Sequence, residues 1–422
     1  MRSRPALVVS VLAACGLAVS LMQTLVVPLL PRFPQLLGAS PSTVTWLVTA
    51  TLVAGAVCAP MLGRLGDMYG KRRMLVVALA LVAVGSALGA VAPDVGTLIV
   101  ARALQGASLG VIPLGISIMR DVLPEGRVGS GVALMSSSLG IGGAIGLPLT
   151  GVVAEQASWR WLFGGAAVLG ALLVVGVLRW VDESPVRAGG RFELRSRSPM
   201  VDLRVSVRPA VLWTNVASVL IGFAMFAGFL VTTQVLQAPV ATGYGFGLSL
   251  VLAGLVLLPI GGAMGVFSPV SARLSARFGA RTTLLLGTSV LIVGNAGMAA
   301  IPGTVVLIMV ATTVSAIGAA LAYSALPLLI MDAVPATETA AANSLNALMR
   351  MLGTSSCSAV AAAVVTAMTQ EVGGRTLPSA SAYTVVFLAA AGAALLATLI
   401  TAATPRRSAA RSAPVAEVYA AR

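Results

Sequence analysis

The sequence predicts an all-α integral membrane fold, with twelve transmembrane helices in two pseudo-symmetric six-helix bundles. Three observations carry this. Of 422 residues, 58% are hydrophobic and 9% charged, whereas about 25% of a soluble domain is charged. Charge-free runs long enough to cross roughly 30 Å of hydrocarbon recur along the chain, separated by short polar islands. The second half also repeats the first. At an offset of 209 residues, Arg64, Leu65, Gly70 and Arg72 meet Arg273, Leu274, Gly279 and Arg281. Such internal symmetry is a mark of secondary transporters.

The elements follow in order. Residues 5–31 carry no charge after Arg2 and Arg4. That run is too long for a signal-peptide core and reads as a retained first helix over 6–30. The second helix covers 43–62, with Trp46 at its outer interface. The third covers 74–92 and closes at Pro93-Asp94. The fourth covers 97–119 and carries Arg102. The fifth covers 129–154, with Glu155 at its outer end. Trp159 and Trp161 then sit at one interface and Trp180, ending the sixth helix, at the other, as aromatic belts do. Residues 181–208 mix acids with arginines and read as a solvated linker. The 64 charge-free residues 209–272 are too many for one span; Pro239 to Gly247 divides them into helices seven and eight. Pro302-Gly303 divides 282–331 into nine and ten. Eleven covers 339–369 and twelve 382–403. The domains expected are a first bundle over 1–180, the linker 181–208, a second bundle over 209–405 and a basic tail over 406–422.

Charge orients this scheme. Of 27 Lys and Arg, Arg32, Arg160 and Arg375 fall in outer loops, and Arg102 and Arg350 within spans. The rest lie inside, which is the positive-inside bias. Both termini are therefore expected in the cytoplasm of a bacterial inner or plasma membrane. The net charge of +14 is scattered between apolar runs, so it does not read as nucleic-acid binding. There is no histidine, which removes Ser-His-Asp catalysis and His-ligated metals. Cys15, Cys58 and Cys357 have no zinc spacing and read as packing residues. No enzyme activity, metal or cofactor is expected, and the chain is expected to act as a monomer.

The stretch Gly63-Arg64-Leu65-Gly66-Asp67-Met68-Tyr69-Gly70-Lys71-Arg72-Arg73 reads as a tight polar loop between helices two and three. Its acid, Asp67, needs a partner: Arg64, Lys71 or a helix N-terminus elsewhere. The stretch resembles the cytoplasmic signature of the major facilitator superfamily, G-x-L-[AG]-D-x-x-G-[RK]-[RK], in Gly63, Leu65, Gly66, Asp67, Gly70, Lys71 and Arg72. The resemblance implies a gate whose aspartate contacts the inner end of helix eleven in one state and leaves it in another. The second copy has Ala276 where Asp67 would stand, so the gate acid is expected on one side only. The competing reading is a basic loop that only sets topology.

Two further motifs point the same way. Arg102, Gln105 and Gly106 resemble the family's R-x-x-Q-G signature. An arginine in hydrocarbon is paired, functional or snorkelling, and Glu155 is the partner the sequence offers. Gly142, Gly146, Pro148 and Gly151 resemble the antiporter signature of the fifth helix, although Leu147 separates the Gly-Pro pair that the family keeps adjacent. Plain glycine-mediated packing is the alternative. A cavity between helices one, four, seven and ten is expected to draw on Gln23, Thr24, Trp213, Asn215, Thr232, Thr233, Gln234 and Tyr323. Few charges and many Met, Leu and Phe suit a lipophilic substrate.

The resemblance, strongest to multidrug drug:proton antiporters, implies export of lipophilic drug-like molecules by alternating access. Protons would be the coupling partner, with Arg102 and Glu155 as the charged participants. No Asp or Glu lies deep in any span, so the residues support transport more directly than proton coupling. Export of one endogenous metabolite and a non-transporting membrane sensor or scaffold remain the alternatives.

Overall fold

A computed structural model describes residues 5–26, 29, 33–184, 208–300 and 303–404. Among them are twelve helices long and apolar enough to cross a membrane. We number them α1 to α12. α1 is Pro5–Thr24, α2 Pro41–Tyr69 and α3 Lys71–Ala90. α4 runs Val95–Gly106, tightens to a 3-10 turn at Ala107–Gly110 and continues over Val111–Val122. α5 is Glu125–Gln156, α6 Arg160–Trp180 and α7 Pro209–Gln237. α8 comprises Leu250–Val256 and Leu258–Phe278. α9 is Ala280–Ala299, α10 Val305–Ala333, α11 Thr339–Ala367 and α12 Ala380–Ala403. Residues 185–207 of the expected linker and the expected tail 406–422 lie outside the described residues.

Helix ends show how the chain is held. Side chains local to the sequence cap α2, α4, α8, α10 and α12: Ser40, Asp94, Ser249, Thr304 and Ser379 each accept a first-turn N–H. All five N-termini lie at one end of the bundle. Asp94 accepts from Thr97 N at 2.8 Å, and this bond holds its carboxyl below the usual carboxylate range. At the opposite end, the Asp67 end, α3, α5, α7, α9 and α11 have no side-chain cap from their own N-cap residue. Free N–H groups at a helix start must still find acceptors. For α3 and α11 they come from distant carboxylates.

Two buried cores fill the bundle. One is built from residues between Val8 and Val181, joined by Met331 and Ala340 of the other half. The second is built between Ala217 and Ala397. Large apolar side chains such as Val91, Leu172 and Val293 stay exposed on the rim, as spans facing lipid require.

The structure corrects several sequence expectations. Residues 63–73 are not a loop: α2 continues to Tyr69 and α3 begins at Lys71, leaving Gly70 alone between them. Gly70 has φ 120°, and its repeat partner Gly279, between α8 and α9, has φ 85°. One left-handed residue reverses the chain in each half, and only glycine takes it without strain. At the start of the expected linker, Val181 and Ser184 are buried and Asp182 is exposed. Trp159, at the N-cap of α6, does not face outward; it is buried between Phe33 and Phe163, with ring centroids at 5.4 and 5.8 Å. Trp161 is exposed. A short helix, Phe33–Leu37, and an antiparallel hairpin, β1 Thr369–Val372 with β2 Arg375–Pro378, were not expected.

Candidate functional site

Asp67 lies in the last turn of α2, fully buried. Its Oδ1 accepts from Ala340 N at 3.3 Å and its Oδ2 from Ala341 N at 2.9 Å. Those N–H groups open α11, in the other half of the chain. A carboxylate there meets two unpaired donors and the positive end of the helix dipole. Gly63 lies one α2 turn earlier, where a Cβ would stand 2.7 Å from the Ala340 carbonyl oxygen. Gly66 packs on Leu114, and Arg64 is half-buried on the same turn. Lys71, also fully buried, lies 3.8 Å from Asp67 and 2.6 Å from Asp121. Ser184 donates to the same Asp121 oxygen at 2.6 Å. Glu183 accepts from Arg72 N at 3.0 Å and Arg73 N at 3.3 Å, capping α3. Arg120 Nη1 adds a second bridge between the halves, donating to Thr339 Oγ1 at 3.1 Å.

Arg102 is also buried. It donates to backbone carbonyls of Leu47 (3.2 Å) and Met22 (3.4 Å) and to Gln105 Oε1 (2.7 Å). Gln105 passes its own N–H to Ser86 at 2.8 Å. Gly106 lets α4 close on α2, since a Cβ there would stand 2.6 Å from the Thr51 carbonyl oxygen. Arg102 thus ties α1, α2 and α3 to α4 through neutral acceptors. The side chain of Glu155, the expected partner, lies outside the described residues.

The small residues of α5 divide between two partners. Gly142 and Gly146 face α1, where a Cβ on Gly142 would stand 2.8 Å from the Leu17 carbonyl oxygen. Pro148 and Gly151 face α8, against Gly254 and Val251. Pro148 lies within the helix. The same stripe therefore packs one helix of its own half and one of the other.

The expected cavity residues separate. Thr24 bonds back to the Leu21 carbonyl, and Gln23 Nε2 and Gln234 Oε1 are buried without a partner. Trp213 is 44% exposed, one turn into α7, and is not brought to the others. Asn215 and Tyr323 converge on a residue the motif reading did not use, Arg350. Its signal was legible: a mid-span arginine four residues after Asn346, on one face of a helix. Asn346 Nδ2 donates to Asn215 Oδ1 (2.9 Å) and Ser218 Oγ (2.7 Å). Its Oδ1 accepts from Arg350 Nη1 at 2.8 Å. The guanidinium carbon lies 5.1 Å from the centre of the Tyr323 ring.

Comparison with known proteins agrees with this architecture. The Major Facilitator Superfamily profile matches residues 12–357. The chain is 23% identical over 418 residues to multidrug resistance protein Stp of Mycobacterium tuberculosis (strain CDC 1551 / Oshkosh), covering 86% of this chain and 77% of Stp. It is 24% identical over 337 residues to YhcA, an uncharacterized MFS-type transporter of Bacillus subtilis (strain 168), covering 68% of this chain and 62% of YhcA. It therefore spans less than two thirds of YhcA. Among solved structures, the human organic anion transporter MFSD10 superposes with a TM-score of 0.75 at 17% identity, covering 94% of this chain and 99% of that one. At that identity the likeness shows the fold alone. With twelve apolar helices in this arrangement and a family profile over most of its length, the chain belongs to the major facilitator superfamily and is a membrane transporter, not an enzyme.

Proposed function

We propose that this chain exports lipophilic, drug-like small molecules by alternating access, driven by proton entry, with the Asp67 end and both termini in the cytoplasm. One observation carries the reading: Asp67 of the first half caps the α11 N-terminus of the second. Among the described residues the side-chain cap of this helix start comes from the other half, so it exchanges partners when the halves part. That makes the contact a latch with two states. The basic residues at this end, Arg64, Arg72, Arg73, Arg273, Arg277 and Arg281, support the orientation. The multidrug class is carried over from the name of the relative Stp. Arg102 and Glu155 are proposed as charged participants in coupling, and protons as the coupling ion. The chain is proposed to act as a monomer.

The test uses everted membrane vesicles loaded with the full chain. A cationic, a neutral and an anionic radiolabelled amphiphile are offered with and without an acid-inside pH gradient. At least one probe accumulates only when the gradient is present, and Asp67→Asn lowers that accumulation about tenfold or more at equal membrane abundance. Accumulation of none of the three, or accumulation indifferent to Asp67→Asn, removes the reading.

A further inference from the structure

The two membrane-embedded arginines differ in kind. Arg102 is 3% exposed and shares its N–H groups among two backbone carbonyls and Gln105. Arg350 is only half-buried, and among the described residues its hydrogen-bond partner is Asn346 alone. Its depth makes this notable. Arg350 is eleven residues into α11, about 16 Å from the Asp67 end at 1.5 Å per residue. It is wedged between α7, through Asn346 and Asn215, and α10, through Tyr323. Tyr323 in turn lies on the seam between the halves, where its carbonyl accepts from Ser136 Oγ of α5 at 3.1 Å.

Among the described residues no carboxylate lies at this depth. Of the thirteen acids in the sequence, none lies between Glu338 and Glu371 on α11, between Asp202 and Asp332 on α7 to α10, or between Asp94 and Asp121 on α4. The acids near α10 and α11 lie at the helix ends. The neighbours that Arg350 does have fix it in place rather than neutralise it. Asn346 cannot turn its amide around without losing both Asn215 and Ser218, so its oxygen stays on Arg350. The Tyr323 ring holds the plane of the guanidinium by a cation–π contact. The remaining N–H groups form a fork of the kind that takes a carboxylate, sulfonate or phosphate in two parallel bonds.

We infer that Arg350, aimed by Asn346 and Tyr323, is the substrate subsite for an anionic headgroup, so that the molecules carried are amphiphilic anions rather than lipophilic cations. This rests on the transport reading above and names its substrate class. An interior holding two arginines and no acid at mid-depth disfavours a cation.

Binding isolates this claim from transport. Full-length protein in nanodiscs is titrated with three probes of one shape: 2-naphthoate, its neutral amide, and the naphthyl trimethylammonium cation. Wild type binds naphthoate about tenfold or more tighter than the other two. Arg350→Gln removes that preference, weakening naphthoate about 10- to 100-fold while leaving the amide unchanged, as the loss of a charge-assisted pair does. Arg350→Lys keeps part of it. Asn346→Asp keeps the arginine but supplies it with an internal carboxylate, and abolishes the preference in a chain whose buried charge is paired. Absence of naphthoate binding to wild type, tighter binding of the cation, or a preference that survives both Arg350→Gln and Asn346→Asp overturns the assignment. Cation accumulation in the vesicle assay with no naphthoate binding would end this inference and leave the transporter reading standing. Intact naphthoate binding with no accumulation of any probe would remove the export reading and leave Arg350 an anion site that is not a substrate subsite.

Discussion

Lys71 is a fully buried cation between two carboxylates, with Asp121 at 2.6 Å and Asp67 at 3.8 Å. Removing one member of such a set strands the other, at a cost of about 3–5 kcal/mol. Lys71→Met should therefore lower the thermal midpoint in detergent sharply. Adding Asp121→Asn should recover more than half of the loss, because the stranded charge goes with it. A double variant no more stable than the single one would show that Lys71 acts by packing alone. The residue types of this cluster were legible in the sequence: one acid among four cations, framed by glycines. Lys71 and a helix start were among the partners the spacing offered Asp67, and the family resemblance pointed to helix eleven; Asp121, Ser184 and Glu183 were not foreseen. Asp67 bonds to nitrogens 273 and 274 residues away, and Glu183 reaches back 110 and 111 residues to cap α3. Local spacing says that an acid lacks a partner; the resemblance names the helix start, and the fold supplies the two nitrogens. Arg350 shows the same limit, since its asparagine was four residues away but its tyrosine came from another helix.

At the scale of the element, α5 carries the sharpest constraint. A methyl on Gly142 would meet the Leu17 carbonyl and the Ser20 side chain, and a carbonyl of a packed helix cannot rotate away. Gly143 sits beside it, turned about 100° round the helix, where the nearest atom, Thr24 Cγ2, is at 3.9 Å. Gly142→Ala should destabilise by about 1–3 kcal/mol, as overpacking does. Gly143→Ala should be neutral or stabilising by up to about 1 kcal/mol, the helix propensity gain. Thermal midpoints of the two variants side by side check this; equal effects would mean that α1 and α5 are not in contact along this face. The existence and order of the twelve spans could be read from run length, because a charge-free run of 20 or more residues has one common explanation. Where helices end is a different matter. Lys71, Arg72 and Arg73 look like solvated loop, yet they form the first turn of α3, because Gly70 makes the whole reversal and Asp121, Glu183 and the Leu178 carbonyl absorb the polar groups. Polarity marked the boundary but not the conformation across it.

For the whole molecule, the question is how the balance between two arrangements is set. In the arrangement seen here the halves meet at the Asp67 end through the α11 cap and the Arg120–Thr339 bond. Alongside, α5 and α8 stay close at that end, since a Cβ on Gly129 would stand 3.9 Å from Ala272. Parting the halves exposes the α11 N-terminus and leaves Asp67 with Lys71 alone. A carboxylate at a partly buried helix start contributes up to about 2 kcal/mol. Asp67→Asn keeps the shape and one acceptor oxygen but loses the charge, so it should remove about 1.4 kcal/mol, a tenfold change in the ratio of the two arrangements. Spin labels at Ser130 on α5 and Ala276 on α8, both exposed, report that ratio. Wild type should give mainly the short distance, and Asp67→Asn should raise the population of a longer one about tenfold. Asp67→Glu, which retains the charge, should lie between them. A distance distribution for Asp67→Asn that superposes on wild type would mean that the cap contributes equally to both arrangements. A contact with no differential energy cannot shift an equilibrium, and the latch would then have to be sought in the packing of α5 against α8.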